Sequence, residues 1–368
     1  MANLQNLLTT YCPNGVEYKK LKDVAKIIRG QRITKKNLVE NGLFPVISGG
    51  TEPMGYINNY NREADTITVA QYGTAGYVEL QKERFWANDV CYSIMPSDTI
   101  ENKYLYYAIM SKQEEIYKMR TDAVPPCLPL DRLETIPIPL PPLPVQQEIV
   151  RILDHFTELT AELTAELTAR RKQYAYYRYE LFRTAKDASV HYLNEISDNC
   201  DNQRRPVTSG NRIAGKYPYY GASGIVDYVD DYIFDGDYLL ISEDGANLLA
   251  RSTPIAFSIS GKNWVNNHAH VLRFDTYETR RYVEIYLNSI DLSPYITGGA
   301  QPKLNQKNLN RIPVPVPSLD EQRRIVSILD RFDALCNDLT SGLPAEIETR
   351  KKQYEYYRDK LLSFPERS

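Results

Sequence analysis

The chain has 368 residues, of which 42% are hydrophobic and 25% are charged, and its formal net charge at pH 7 is −3. This length is sufficient for two domains, and this composition excludes a collagen-like or a generally disordered chain. The near-neutral charge also excludes a uniformly basic nucleic-acid coat, although local basic patches remain compatible with it.

Three features favour a protein of the cytoplasm. No apolar run approaches membrane-spanning length, and the first residues lack the charged and then apolar pattern of a signal peptide. The five cysteines are odd in number and contain no C-x-x-C pair. This cysteine usage is typical of reduced thiols rather than of a disulfide or zinc framework, so we expect a cytoplasmic location and no metal site.

The first globular region, residues 1–141, contains a basic segment near its beginning. Between Tyr18 and Lys36, eight Lys or Arg residues stand against one acid. Short β-rich runs such as "TITVAQY" and "VCYSIM" follow, separated by Gly, Asn and Asp, and one helical segment stands out in "ENKYLYYAIMSKQEEIYK". These patterns predict a mixed α/β domain, whose strand order the sequence leaves open.

A long helix is predicted over residues 142–184. The proline-rich run "PIPLPPLP" keeps the preceding chain extended and allows a helix only beyond it. Apolar residues then recur at spacings of three and four, which places a single stripe on one helix face. The stripe consists of Ile149, Leu153, Phe156, Leu163, Leu167, Tyr174 and Tyr177.

The second half of the chain repeats this arrangement. The segment "IPVPVPSLDEQRRIVSILDRF" matches "IPIPLPPLPVQQEIVRILDHF" at an offset of 176 residues, and "RKKQYEYYRDKLL" matches "RRKQYAYYRYELF". A period of this length indicates a duplicated domain rather than a solenoid. We therefore predict a second globular domain over residues 185–317 and a second helical segment over 318–368. Its stripe consists of Ile325, Leu329, Phe332, Leu339, Tyr354 and Tyr357.

The two helical segments are expected to pack on each other as an antiparallel coiled coil, because each stripe is too narrow to form a core alone. They are not equivalent throughout. The run "SGLPAE" at Ser341–Glu346 should interrupt the second segment, whereas "TELTAELTAELTA" leaves the first uninterrupted. The predicted fold class is α+β, with two tandem mixed α/β domains separated by two long helices.

No catalytic motif is visible in the sequence. It contains no phosphate-binding loop, no dinucleotide fingerprint, no nucleophile elbow and no methyltransferase signature for a flipped adenine. His268 and His270 have the spacing of two ligands on one strand face, but no further ligand set lies at a telling distance, so we interpret them as ordinary strand histidines. Glu243 and Asp244 precede a glycine, and we interpret them as turn formers rather than as an acid/base pair.

Loops rich in Arg, Gln, Lys and Asn favour recognition of DNA instead, because amide and guanidinium groups read base edges and Lys neutralises phosphates. Two copies of one reader can address two separated half-sites. The candidate DNA-binding residues of the first domain are Gln31, Arg32, Lys35, Gln71, Tyr72 and Thr74. Those of the second domain are Arg204, Arg205, Asp244, Asn247, Arg251 and Asn267.

The chain resembles the specificity (S) subunits of type I restriction-modification systems over essentially its whole length. The resemblance is carried by the two pairs of matching segments quoted above, which begin and end the helices, and by "DGANL" and "WVNNHAHVL" in the second domain. The first domain departs from the family pattern, because "AVPPCLPLDRLETI" replaces the glycine-rich and Gln/Asn-rich run seen in "GGAQPKLNQKNLNRI". The resemblance implies two target recognition domains, each of which reads one half of a split, asymmetric site in double-stranded DNA.

The resemblance also implies that the chemistry belongs to partner chains. Two methylation (M) subunits would dock on the helices and methylate adenine with S-adenosylmethionine, and restriction (R) subunits would join the assembled complex and use ATP and Mg. No cofactor is then expected in this chain. A stand-alone DNA-binding protein and a coiled-coil scaffold remain alternatives, since the loops alone fit the first and the helices alone fit the second. The missing motifs disfavour an enzyme that acts alone.

The repeated TAEL units of the first helix lead to a prediction about the gap between the two half-sites. One more unit lengthens an α-helix by about 6 Å and rotates its end by about 40° net. One base pair of DNA advances about 3.4 Å and turns about 35°. The rotations match, whereas the translation is nearer two base pairs, so pairing with the second helical segment must absorb the difference. Adding or deleting one TAEL unit should then change the non-specific spacer by about one base pair. Mapping of N6-methyladenine in cells that carry such a variant measures the spacer, and an unchanged spacer would contradict this prediction.

Overall fold

The structure, a computed structural model, describes residues 2–299 and 301–367, which form two units of similar construction. Unit 1 comprises the residues up to Thr164 and those from Glu346 onward, and unit 2 comprises Ala165–Ala345. The predicted α+β class with two tandem mixed domains is confirmed. Among the described residues, no helix combines the length and the apolar content needed to cross a membrane.

The described residues of unit 1 form nine strands and short helices that lead into one long helix. Its strands are β1 (Glu17–Lys20), β2 (Ala25–Arg29), β3 (Phe44–Ile47), β4 (Tyr56–Ile57), β5 (Thr66–Ala70), β6 (Val78–Gln81), β7 (Trp86–Ala87), β8 (Cys91–Pro96) and β9 (Pro137–Leu140). Its helices are α1 (Ala2–Tyr11), α2 (Leu21–Val24), α3 (Asn102–Met110), α4 (Gln113–Lys118), α5 (Leu130–Leu133) and the first part of α6 (Leu143–Arg183), with a 3₁₀ turn at Lys35–Asn37.

The strands of unit 1 form three sheets. The largest has the order β2-β8-β5-β6 and is antiparallel throughout. A second sheet has the order β4-β3-β7, in which β3 and β7 are parallel. Within the described part of the chain, the proline-containing strand β9 pairs with β1 alone. This position suits proline, which cannot donate a hydrogen bond to a second neighbour.

Unit 2 continues the chain from α6 and repeats these elements. Its strands are β10 (Ser189–Tyr192), β11 (Asp198–Asn199), β12 (Ala214–Gly221), β13 (Gly224–Val229), β14 (Phe234–Asp235), β15 (Tyr238–Ser242), β16 (Ala256–Ile259), β17 (Lys262–Val265), β18 (Ala269–Arg273) and β19 (Pro313–Val316). Its helices are α7 (Leu193–Ile196), α8 (Asn247–Ala250), α9 (Tyr277–Ser289), α10 (Gln306–Leu309) and α11 (Leu319–Asn337), with 3₁₀ turns at Asp201–Gln203, Ser209–Asn211 and Ser293–Tyr295.

The sheets of unit 2 correspond to those of unit 1. The order β11-β18-β15-β16 matches the largest sheet, and β13-β12-β17-β14 matches the second with one added strand. Strands β12 and β17 are parallel, as β3 and β7 are. The proline-containing strand β19 pairs with β10 as β9 pairs with β1. The two halves therefore share their strand topology as well as their sequence motifs.

The beginning of each long helix belongs to the core of a globular domain. Ile149 and Leu153 of α6 are fully buried in the hydrophobic core of unit 1, and Ile325 and Leu329 of α11 are fully buried in that of unit 2. These four residues were predicted to line a helix–helix seam. Their clusters also contain residues of the other helical segment, such as Leu361 in unit 1 and Tyr174 in unit 2, so the domain core and the helix pairing are continuous there. The four residues pack among the apolar residues of the sheet-containing domain because each helix starts directly after a strand of that domain.

A buried glutamine fixes each of these helix starts. The side chain of Gln146 donates to the Pro141 carbonyl at 2.7 Å, and that of Gln322 donates to the Pro317 carbonyl at 2.8 Å. Each carbonyl follows a proline-containing strand, so the glutamine ties the end of the strand to the first turn of the helix. This bond explains why the Gln recurs in both copies of the proline-rich motif.

Helix pairing occurs farther along. In unit 1 the rings of Phe156 and Tyr357 stack at 5.3 Å, and Tyr354 packs against the core. In unit 2 Tyr174 and Tyr177 contact Phe332. The Arg171 guanidinium lies 3.5 Å from the Cys336 carbonyl, so α6 and α11 run antiparallel there. Two other members of the stripe, Leu163 and Leu167, are half-buried.

The second helical segment consists of two helices, α11 and α12 (Leu343–Leu361). Gly342 lies at the interruption, where an added Cβ would come within 2.5 Å of the Ala334 carbonyl oxygen. Pro344 lies in the first turn of the new helix, where its missing N–H costs nothing. Leu339 falls in the interruption and is 79% exposed, so the prediction that it lines the seam is wrong.

The core position of the α6 start leads to a stability prediction. Leu153→Ala should lower the free energy of unfolding by about 2–5 kcal/mol, because it removes a fully buried side chain and leaves a cavity. The exposed Leu339 is the matched control, and Leu339→Ala should change stability by less than about 0.5 kcal/mol. Chemical denaturation of the full chain measures both variants, and equal effects would contradict the assignment.

Candidate nucleic-acid interface

Three chain segments meet in unit 1 at the carboxyl end of β5. The backbone N–H of Gln71 donates to the Val90 carbonyl at 2.8 Å, and the Gln71 carbonyl accepts from the Leu128 N–H at 2.9 Å. Tyr72 pairs with Cys127 in an antiparallel bridge. These contacts involve backbone atoms, so they hold the three segments together whatever side chains the segments carry.

The same three segments meet in unit 2 at the carboxyl end of β15. The backbone N–H of Glu243 donates to the His268 carbonyl at 2.9 Å, and the Glu243 carbonyl accepts from the Leu304 N–H at 2.8 Å. Asp244 pairs with Lys303 in an antiparallel bridge. We call this arrangement the backbone frame, formed by residues 71–72, 88–90 and 127–128 in unit 1 and by residues 243–244, 266–268 and 303–304 in unit 2.

A tryptophan attaches a polar loop to each frame. The indole of Trp86 donates to the Gln31 carbonyl at 2.9 Å, and the indole of Trp264 donates to the Arg205 carbonyl at 2.6 Å. Each tryptophan lies on the strand that leads into the middle segment of the frame. The loops that carry the predicted Arg and Gln readers are therefore held at the frame by matched bonds.

The frame of unit 2 is supported by a network of charged side chains beneath it. The Arg204 guanidinium lies 2.6 Å from a Glu243 carboxylate oxygen and 3.3 Å from Asp201. His270 contacts the Asp201 carboxylate through Nδ1 at 2.6 Å and the Leu304 carbonyl through Nε2 at 2.7 Å. Lys303 adds a second cation 3.0 Å from Glu243. The network therefore joins the loop at Arg204 to all three segments of the frame.

This network favours the ionised carboxylates. Burial raises the pKa of Glu243, but the bonds from Arg204 and Lys303 and the charge of His270 outweigh that effect and bring the pKa below its usual value. Burial likewise raises the pKa of Asp201, and the contacts with His270 and Val271 and the charge of Arg204 more than reverse the effect. Both acids are therefore charged at neutral pH and their charges are compensated locally.

Unit 1 has uncharged residues at the corresponding places. Tyr92 replaces His270 and donates to the Leu128 carbonyl at 3.4 Å, and burial raises its pKa to about 12. Gln71 replaces Glu243, and Cys127 replaces Lys303. Gly30 corresponds to Arg204, because each of them immediately precedes the loop residue whose carbonyl is bound by the tryptophan. The two units thus combine one backbone frame with two different sets of side chains.

Six of the predicted DNA-binding residues have exposed side chains, and two more are partly exposed. The exposed residues are Gln31, Arg32, Lys35, Thr74, Arg205 and Asn267, and the partly exposed ones are Tyr72 and Asp244. All eight lie on the frames or on the loops beside them. Their contact with DNA remains a prediction.

The other four predicted residues, Gln71, Arg204, Asn247 and Arg251, are engaged within the fold. The Gln71 side chain is buried, and Arg204 belongs to the ion-pair network. The Asn247 side chain bonds to Ser252 and Thr253 and holds its own loop. Arg251 donates to the Ile290 carbonyl at 2.7 Å, just beyond α9. Arg204, Asn247 and Arg251 therefore support the loops, whereas the buried Oε1 of Gln71 accepts no hydrogen bond from the described residues. Base reading by these four residues stays a prediction.

Two exposed residues of the interface were missed by sequence reasoning. His268 precedes β18 rather than lying within it, its side chain is 50% exposed, and its Nδ1 lies 2.9 Å from the Asp244 carboxylate. Lys303, on the third segment of the frame, is bridged to Asp244 through its backbone, and its exposed side chain pairs with Glu243 at 3.0 Å. The H-x-H spacing drew attention to His268, but only His270 is the buried strand histidine that this spacing suggested.

The carboxylates Asp201 and Glu243 and the imidazole of His270 have ligand atoms within 4.8 Å of one another. Arg204 and Lys303 already neutralise Glu243, and both His270 nitrogens contact hydrogen-bond acceptors. This chemistry fits an ion-pair network better than a cation site, because a metal ion would have to displace both cationic side chains.

The same arrangement of duplicated domains occurs in known proteins. A family model described as the type I restriction modification DNA specificity domain matches residues 13–170 and 186–349. The two matches cover most of the chain, one on each half. The chain therefore belongs to the family of type I restriction-modification specificity subunits, with two such domains in tandem.

Individual relatives agree with this assignment. A putative type I restriction enzyme specificity subunit of Haemophilus influenzae is 30% identical over 374 residues, which cover 95% of this chain and 96% of the relative. The EcoR124I/EcoR124II specificity subunit of Escherichia coli is 36% identical over 260 residues, which cover 62% of this chain and 63% of that subunit. The crystal structure of a type I S subunit from M. genitalium has the same fold, with a TM-score of 0.64 at 20% identity over 95% of this chain and 96% of that one.

The ion-pair network leads to a second stability prediction. Arg204→Ala should lower the free energy of unfolding by about 3–5 kcal/mol, because it leaves Glu243 buried without its closest cation. Arg205→Ala is the matched control, since this neighbour is exposed and should change stability by less than about 0.5 kcal/mol. Thermal or chemical unfolding distinguishes the two. A small effect of Arg204→Ala would mean that the network does not support the frame.

Proposed function

We propose that this chain supplies the DNA target of a type I restriction-modification complex, with each unit reading one half of a bipartite, asymmetric site in double-stranded DNA. The observation that carries this proposal is the pairing of one backbone frame with two different sets of side chains. Identical frames present their loops in the same way, and different side chains select different bases. Two unlike half-sites follow.

The charge distribution around the frames supports contact with DNA. Arg32, Lys35 and Lys36 are exposed on the loop held by Trp86, and Arg205 is exposed on the matched loop. Cationic side chains in such positions neutralise phosphates and fix the register of the protein on the duplex. A half-site of three or four base pairs is too short to be selective in a genome, and joining two readers in one chain overcomes that limit.

We further propose that the helices dock two M subunits. The sequences around Tyr176 and Tyr356 are nearly identical, and both side chains are exposed, at 61% and 59%. Exposed tyrosines are enriched at protein–protein interfaces because they bury a large area at low entropic cost. Equivalent surfaces in the two halves suit two copies of one partner.

The chemistry is then assigned to the partners. S-adenosylmethionine-dependent methylation of adenine belongs to the M subunits, and ATP- and Mg-dependent restriction belongs to R subunits that join the assembled complex. We propose that none of these cofactors binds to this chain. The five free cysteines fit the reducing cytoplasm in which such a complex would act.

The test is to co-express the chain with its candidate M partner and to map N6-methyladenine across the host genome by long-read sequencing. We expect a split motif with two unlike halves, which disappears when this chain is deleted and the partner is kept. The partner expressed alone is the control for methylation that does not depend on this chain. A stable complex that methylates no split motif would contradict DNA reading and favour the scaffold alternative.

A further inference from the structure

We propose that Asp244 and His268 form the principal base-reading contact of unit 2, and that they select an exocyclic amino group, cytosine N4 or adenine N6, in the major groove. This inference rests on the proposed function and goes further, because it names the residues and the chemical group that they recognise. It starts from the geometry of the pair at the outer edge of the frame.

The pair is exposed and preformed. His268 Nδ1 lies 2.9 Å from both carboxylate oxygens of Asp244, and the two side chains are 50% and 31% exposed. A carboxylate only accepts hydrogen bonds, so Nδ1 carries the proton that joins the two residues. The exposed side of the pair therefore offers acceptors, namely the lone pairs of the Asp244 carboxylate that His268 does not use.

The backbone on both sides of the pair is held in place. Asp244 is bridged to Lys303, and the residue before it, Glu243, is bound by two cations of the buried network. The His268 N–H donates to the Asn266 side chain at 2.8 Å, and the His268 carbonyl accepts from Glu243. A contact built on such a fixed backbone loses little conformational freedom on binding, which is a property of specific readers.

The charge of the pair decides which part of DNA it suits. A carboxylate repels a phosphate, and a phosphate has no proton to donate to an acceptor edge. The donors that DNA presents in the major groove are the amino groups of cytosine and adenine, and acidic side chains pair with cytosine N4. The geometry therefore favours a base edge over the DNA backbone.

Unit 1 offers an internal comparison. Its frame carries Tyr72, Val90 and Cys127 where unit 2 carries Asp244, His268 and Lys303. Neither a carboxylate nor an imidazole stands at those positions. A change in the pair should therefore alter one half of the bipartite site and leave the other half as it was.

The test uses the full chain assembled with its M subunits and a library of randomised DNA duplexes, from which bound duplexes are recovered and sequenced. His268→Ala and Asp244→Asn are the variants. Each should reduce discrimination at one position of one half-site by about tenfold or more, the effect expected of one lost base contact. The other half-site should keep its preferences. His191→Ala is the matched control, because His191 is a partly exposed histidine of the same unit, 3.7 Å from a Glu195 oxygen, and its loss should leave the motif unchanged.

The outcomes separate the alternatives. Unchanged preferences in both variants would overturn the assignment, and so would an equal loss of affinity for all sequences, which indicates a phosphate contact. Thermal unfolding of both variants checks the fold, and Asp244→Asn keeps the size of the side chain if His268→Ala unfolds. A wild-type complex that selects no split motif would instead overturn the proposed function. A wild-type motif left intact by both variants would overturn the present inference alone.

Discussion

The backbone hydrogen bonds at residues 71 and 243 are the constraint on which the recognition edge of each unit depends. Each residue binds one segment through its N–H and another through its carbonyl, so three distant stretches of chain meet at one strand end. Backbone groups are the same for every residue, and buried ones must be satisfied. The frame therefore persists while the side chains upon it change, and a single architecture can carry readers of different specificity.

The helices depend on the same domains that carry the frames. Ile149 and Leu153 are core residues of unit 1 as much as they are residues of α6, and Ile325 and Leu329 have that role in unit 2. The buried amides of Gln146 and Gln322 fix the first turn of each helix to the strand before it. Because the helix starts inside the core, its direction is determined by the domain. This connection links the surface proposed for partner docking to the edge proposed for DNA reading.

The sequence predicted the features that depend on local pattern. Spacings of three and four located the helices, the proline-rich runs located their starts, and Gly342 with Pro344 located the interruption of the second segment. Long-range features were missed. Arg204 looked like a free basic residue, yet its partner Glu243 lies 39 residues away, and the His270–Asp201 pair spans 69. The spacing of apolar residues along the sequence cannot predict such ion pairs, because they form only when the sheet brings distant strands together. Leu339 has the spacing of the apolar stripe, but it lies between the end of α11 and the start of α12, where helical spacing does not apply.

The charged side chains beneath the frame of unit 2 and the neutral side chains beneath that of unit 1 cannot be exchanged one at a time. Glu243 is tolerated in unit 2 because Arg204 and Lys303 compensate its charge, and a buried acid without them would be strongly destabilising. Unit 1 has Gly30 at the place of Arg204, and a Cβ there would lie 2.1 Å from the Asn88 carbonyl oxygen. An arginine cannot occupy that position without movement of the backbone. The neutral residues Gln71, Tyr92 and Cys127 need no such cation, so the charged network could enter unit 1 only as a set and with a changed loop. Introducing the charged network into unit 1 would therefore require coordinated replacement beneath the frame, whereas exchange of the exposed residues above it does not disturb a buried charge.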